Sequence, residues 1–407
     1  MKLLNNLLTS LTQYENEMIQ IRRHLHQYPE ISFQEKETFK YIMGFYKELD
    51  CEPKLIGKGF GIIVDIEGGK SGKTLALRAD FDALAIFEDN DLSFKSVNPG
   101  VMHACGHDAH TAYLMVLARE LVKIKQELPG RVRIVHQPAE EVSPGGAKGM
   151  IKAGALDGVD NMIGVHVMTT IKTGVIAYHN KETQTGRSNF TITIKGNGGH
   201  ASMPQLSNDA IVAASYFVTE LQTVISRRID PFDMGTVTIG SFDGAGSFNA
   251  IQDKVVLKGD VRMMKETTRK VIRDQVKQIA KGVGVTFGVE VIVDYDDNYP
   301  VLFNSENLTH FVVDSLKDQN ISEVNNIVDL GPQNPSEDFS YYGQVVPSTF
   351  FYIGAQPEDG GNYPHHSPLF KMNEKSILIA AKAVATRSVP IGLPQWNTRV
   401  YVLDARL

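Results

Sequence analysis

At 407 residues the chain is longer than a typical single domain, so two domains are expected. Its 42% hydrophobic and 22% charged residues suit a folded protein and exclude a disordered one. A net charge of −6 gives no support to nucleic-acid binding, which needs a basic surface.

Two cysteines, Cys51 and Cys105, are too few for a disulfide framework in so long a chain, and a reducing compartment is the better reading. The N-terminal leucines are interrupted by Asn, Thr and Gln, as in an amphipathic helix rather than a secretory signal. No segment approaches the run of about 20 apolar residues needed to span a bilayer. The cytoplasm is the expected location, with neither nucleic acid nor membrane as partner.

Over residues 1–182 short apolar runs alternate with helical stretches. Strands are predicted at 74–77, 132–135 and 162–165, and helices at 111–125 and 147–153. Strands separated by helices imply an α/β domain with a mostly parallel sheet covered on both faces. Over 183–299 the pattern changes to a strand at 190–195, a helix at 209–226, strands at 236–242 and 254–263, a helix at 266–283 and a strand at 285–294. That order is the ferredoxin-like split β-α-β-β-α-β motif. A helix at 306–317, a strand at 349–353 and a helix at 374–385 resume the first style. The simplest reading is a larger α/β domain of 1–182 and 300–391 carrying an inserted ferredoxin-like α+β domain at 183–299. Residues 392–407 form a tail with the only tryptophan, Trp396, and no role follows for it.

In open α/β sheets ligands bind at the carboxyl ends of the strands. The first predicted strand runs out into Arg78-Ala79-Asp80-Phe81-Asp82, and the second into His136-Gln137-Pro138-Ala139-Glu140-Glu141. The third ends on His166, and the strand at 349–353 ends about a dozen residues before His365-His366. Four strand ends thus deliver carboxylates or imidazoles to one edge of the sheet. Cys105-Gly106-His107-Asp108 adds a Cys-x-His pair in an extended loop, where thiolate and imidazole fall on one side and Gly106 permits a tight bend. Such donors suit zinc and its neighbours, and the carboxylates widen the choice towards manganese. Glu140 and Glu141, as adjacent residues leaving a strand, point to opposite sides. One can clamp a cation while the other holds a water.

The stretches RADFDAL, MHACGHDAHTA, QPAEE, GVHV, GGHASMP and HHSPLFKMNE occur in that order, after RRHLHQYPE near the N-terminus. Together they resemble the signature set of the amidohydrolase branch of the M20 metallopeptidases. That branch includes aminoacylases, hippurate hydrolases, N-acetyl-diaminopimelate deacetylases and plant auxin-conjugate hydrolases. The resemblance implies a dinuclear-metal catalytic domain with a lid or dimerisation domain inserted. It implies two divalent ions per subunit, zinc or manganese with cobalt and nickel as alternatives, held by Cys105, His107, Glu141, His166 and His366. Glu140 is then the general base.

Where the wider family carries a metal-binding His and an orienting Asp, this chain has Asp80 and Asp82. One or both are expected to brace the metal ligands, with the alternative of capping the following helix left open. His200, in a Gly-rich loop, is implied to stabilise the oxyanion, often from the partner of a homodimer. A non-catalytic loop histidine is the alternative. Asn249 and Arg262 resemble the family's groups for the substrate's carbonyl or carboxylate, though a strand Arg is often only a solvated residue. The expected reaction is hydrolysis of an N-acyl amino acid to a carboxylate and a free amino acid by a metal-activated water. The rivals are a dipeptidase or carboxypeptidase on the same scaffold and a non-catalytic metal-containing binding protein.

Overall fold

The computed structural model describes residues 2–57, 59–361 and 363–388, so the tail 392–407 with Trp396 lies outside the described residues. The chain divides into two compact units. The first comprises residues up to Thr183, Phe303–Gly331 and the described residues from Asp338 onward. The second comprises Gln184–Leu302 with Pro332–Glu337. The second unit thus takes back a later segment that local patterning does not reveal. Thr185 donates to the Asn334 carbonyl at 2.7 Å, and Arg262 to the Ser336 hydroxyl at 2.7 Å.

The first unit is built on an eight-stranded sheet. Its order is Pro53–Ile56, Gly61–Glu67, Pro129–Gln137, Lys70–Asp80, Asn161–Lys172, Ser348–Gln356, Val175–Tyr178 and Asn326–Asp329. The four central strands, from Pro129–Gln137 to Ser348–Gln356, are mutually parallel. Antiparallel pairings lie outside that core. Central strands are apolar on both faces because helices cover both, as the burial of Leu75 through Asp80 shows.

Helix His107–Lys123 is buried from His107 to Ala118 without a solvent stripe. A helix apolar all round belongs inside a core, and this one packs among Leu4, Leu25, Leu77 and Ile379 in one cluster. It begins four residues earlier than its apolar pattern indicates, because polar His107, Asp108 and His110 occupy its first turn. The N-terminal segment forms two helices, Lys2–Gln13 and Glu15–Gln27. The first buries Leu4, Leu7 and Leu11 along one stripe.

The second unit contains a wholly antiparallel sheet in the order Gly235–Asp243, Lys254–Met263, Gly186–Lys195, Glu290–Asp296. Helices Ala210–Arg228 and Glu266–Phe287 share its core, with Phe217, Leu221, Ile272 and Val276 packed against Ile192 and Leu257. Asp209 caps the first helix, its Oδ1 accepting from the Ile211 and Val212 amides. The second helix runs past its expected end at 283 to Phe287, and the following strand starts at Glu290 rather than 285. The β-branched run after 283 reads as strand. The helix nevertheless persists until Gly288, whose φ of +64° closes it in the left-handed region. Among the described residues no helix is long and apolar enough to cross a membrane.

Candidate metal centre

In the register of the parallel strands, Asp80 lies opposite Gln137, so the two strand ends finish side by side. Pairing between Lys70–Asp80 and Asn161–Lys172 stops at Arg78 with Gly164. His166, expected at a strand terminus, instead sits within Asn161–Lys172, opposite Tyr352 of the next strand. Its strand edge is open only on the side where the shorter neighbour has ended. His107, expected in an extended loop, is the first residue of the buried helix. Gly106 precedes it at φ +90°, where a Cβ would lie 2.4 Å from Val167. His366 reaches the same place through its amide, which donates to the Ala104 carbonyl at 2.8 Å, with φ +63°.

The donor atoms of Cys105, His107 and Glu141 all lie within 4.8 Å of one another. Cys105 Sγ is 3.4 Å from His166 Nε2, and His366 Nε2 is 3.2 Å from Glu141 Oε1. The five expected ligands are thus gathered in one place in the first unit. His365 adds a donor near them, forming a group with Cys105 and His166. His110, although close, is already used: its Nδ1 lies 2.6 Å from Asp80 Oδ1 and its Nε2 accepts the Val167 amide at 2.9 Å.

Asp82 braces the cluster directly. Its Oδ1 is 3.1 Å from His107 Nδ1, and its Oδ2 accepts the Glu141 amide at 3.0 Å. With Nδ1 held by Asp82, His107 turns its Nε2 into the cluster. Asp80 instead accepts from His110 and Arg78, its Oδ2 standing 3.7 Å from His107 Nε2. Asp82→Ala is expected to lower cation affinity 10- to 100-fold, read by metal titration, because the His107 ring loses the partner that fixes it.

The residues fit a pair of cations on two grounds. His107 Nε2 is buried without a hydrogen-bond partner, 3.8 Å from Glu141 Oε1 and 3.7 Å from Asp80 Oδ2, an arrangement that is costly unless something positive occupies the space between them. The field points the same way. Although burial opposes it, the charge of Asp80, with Asp82 and Glu141, raises His107 to about 10, so the proton stands where a metal's charge is wanted. His366 is raised by its hydrogen bond to Glu141, while burial and the neighbouring His110 hold His166 well below the ordinary imidazole range.

A model of the peptidase family M20/M25/M40 matches residues 76–386. The chain belongs to that family. The putative amidohydrolase YhaA of Bacillus subtilis is 40% identical over 92% of this chain and 94% of its own length. The N-acetyl-L-cysteine deacetylase of the same organism is 34% identical over 91% of this chain and 87% of its own. Among solved structures, a putative aminohydrolase from methicillin-resistant Staphylococcus aureus superposes with a TM-score of 0.91 at 53% identity, covering 94% of this chain and 98% of that one. A dinuclear metal binding peptidase from the M20 family, the YXEP protein of Bacillus subtilis, superposes with a TM-score of 0.81 at 29% identity, covering 93% and 98%. This M20 member is therefore an enzyme of the amide-hydrolysing kind, with neighbours that bind two metals.

Next to Glu141 in this M20 chain, Glu140 is buried and turned towards Asp338, whose amide donates to its Oε1 at 3.4 Å. Asp338, to which the sequence assigned no role, is held by Arg78 Nη2 at 3.0 Å and by Gln137 Nε2 at 2.7 Å. Arg78 and Gln137 lie within the RADFDAL and QPAEE motifs, but nothing local marks them as partners of Asp338. Asp108 anchors the helix behind His107, accepting from Arg22 Nε at 2.9 Å and contacting His26 Nδ1 at 2.8 Å. His136, of the second predicted strand end, is internal: its Nε2 is 2.8 Å from the Tyr46 hydroxyl.

The remaining three predicted residues belong to the second unit. His200 pairs with Ala250 in a two-stranded ribbon, next to Asn249, whose carbonyl accepts the Ala201 amide at 3.1 Å. His200 Nδ1 accepts the Ser202 amide at 3.1 Å, which places the ring proton on exposed Nε2. Arg262 lies directly opposite Arg187 in the sheet, and Asp260 bridges both guanidiniums at 2.7 and 2.8 Å.

Proposed function

We propose that the chain hydrolyses N-acyl amino acids to a carboxylate and a free amino acid, with Glu140 as general base and two divalent ions held by Cys105, His107, Glu141, His166 and His366. The observation that carries this reading is a second buried carboxylate, Glu140, next in sequence to Glu141 and outside the donor group of Cys105, His107 and Glu141. A binding protein has no use for such a group. When bound, the cations would acidify a water and polarise the amide carbonyl.

Glu140 accepts the proton of that water as its oxygen bonds to the acyl carbon, then returns a proton to the nitrogen as the C–N bond breaks. His200, with its Nδ1 committed to Ser202, offers an Nε2–H to the developing oxyanion. Asn249 and Arg262 take the substrate's carbonyl and free carboxylate, a guanidinium being suited to bidentate carboxylate contact. A homodimer joined through the second unit belongs to the same proposal, supported by Phe232 and Phe248, which are 98% and 99% exposed there. So does a cytoplasmic location.

Relatives named amidohydrolase and deacetylase support N-acyl substrates, while two others, named thermostable carboxypeptidase, make a peptide substrate the rival arm of the test. The test is a metal-reconstituted assay of N-acetyl, benzoyl and longer-acyl amino acids beside dipeptides. Release of free amino acid from the acyl series is expected. Faster cleavage of dipeptides favours the peptidase reading, and no turnover with metals fully loaded favours a binding protein.

A further inference from the structure

Glu35 is the N-cap of helix Lys36–Lys47, yet its side chain does not cap that helix. The amides that a capping side chain would take, those of Glu37 and Thr38, both donate to Glu30 Oε2 at 2.8 Å. The Glu35 side chain is thereby released inward. It is wholly buried, its Oε1 accepts the Ala139 amide at 2.8 Å, and its Oε2 has no hydrogen-bond partner. Ala139 has φ +53° and immediately precedes Glu140 and Glu141. A residue with a Cβ stays in that region only when its surroundings hold it there. Ser32, from the same connection, donates to Asp82 Oδ2 at 2.7 Å, so this short segment supports both sides of the metal cluster.

We propose that Glu35 is a positioning residue which, as an uncharged carboxylic acid, ties down the Ala139 amide and so sets the directions in which Glu140 and Glu141 leave the sheet. The proposal rests on the roles given above to those two glutamates. The uncharged form follows from the surroundings. Ionisation would place a second negative charge in a buried space beside the carboxylate of Asp82. Burial, with the charge of Asp82 added, pushes the Glu35 carboxyl up to about 8, against the opposing pull of its own, the Ala139 and the Phe33 amides. Asp82 is the charged group that faces it.

Two variants separate the possibilities. Glu35→Gln keeps an acceptor oxygen for Ala139 and is neutral at every pH, whereas Glu35→Ala keeps no acceptor. Glu35→Gln is expected to retain most of the wild-type kcat and cation affinity. Glu35→Ala is expected to lose roughly a hundredfold in kcat with little change in KM, the effect of a catalytic group displaced by about 1 Å. Its cation affinity, titrated without substrate, falls as well. Because the folded chain keeps a proton that the unfolded chain releases, wild-type stability declines as pH rises from the ordinary carboxyl value through about 8. Glu35→Gln removes that decline, so denaturation midpoints of the two proteins diverge in its favour between about pH 5 and 9.

Equal impairment of both variants, or of neither, overturns the proposal, as does an unchanged pH slope in Glu35→Gln. Should Glu35→Ala fail to fold, the Glu35→Gln comparison decides alone. Cation affinity and the stability slope are read without turnover, so a wrong general base or substrate class leaves this test intact.

Discussion

Replacing Glu140 by Gln is expected to lower kcat by roughly 10²- to 10⁴-fold while the chain still binds its cations at wild-type stoichiometry. The loss corresponds to about 3–5 kcal/mol of transition-state stabilisation. The argument is geometric. Gln preserves the side-chain oxygen that accepts the Asp338 amide, so the loop should keep its shape. What disappears is the ability to take a proton from water and hand it to the leaving nitrogen. Steady-state kinetics combined with elemental analysis of the purified variant checks both halves. Lost metal makes Glu140 a ligand, and retained turnover moves the base elsewhere.

The second large effect is expected from His107→Ala. Removing one donor from the shared cluster should weaken cation binding at least a hundredfold, about 3 kcal/mol. The same change strips Asp82 Oδ1 of its partner, leaving Ser32 and the Glu141 amide on Oδ2. Although burial opposes it, the hydrogen bond from His107 is the largest influence holding the Asp82 carboxyl below its ordinary range. A buried carboxylate that loses its charged partner costs up to about 3–5 kcal/mol, so the variant should melt at a lower temperature even without metal. Wild-type chain should gain about 2.7 kcal/mol from cation at a hundred times its dissociation constant. Thermal melts with chelator and with added metal measure both quantities. A variant that melts like the wild type and still gains stability from metal would place the cations elsewhere.

The donor types and the strand ends that carry them were legible because each is a local pattern. An apolar run followed at once by Asp80, by Glu140-Glu141 or by His166 announces itself within ten residues. The resemblance then tied these fragments into one family. Residues that act through distant partners stayed silent. Arg78 and Asp338 are 260 positions apart and Glu35 and Ala139 are 104 apart, and neither pair leaves a spacing to read. The same holds for the strand Gly61–Glu67, which pairs antiparallel with Pro129–Gln137 at the edge of the four parallel strands. His166 illustrates a subtler failure. The sequence marks where apolar character thins, whereas the edge near His166 is set by the neighbouring strand ending first. Gly288 shows the converse, since one residue able to take positive φ overruled a strand-like run before it.

Helix His107–Lys123 ties the cation cluster to the interior of the first unit. Its opening residue supplies a donor, while Leu114, Met115, Val116 and Leu117 behind it are wholly enclosed. A rod packed on every side transmits small displacements along its axis instead of absorbing them. Trimming a methyl group several turns away should therefore be felt as altered metal selectivity, by way of a shift too small to change the fold. Tuning which ion this enzyme prefers need not touch a ligand at all.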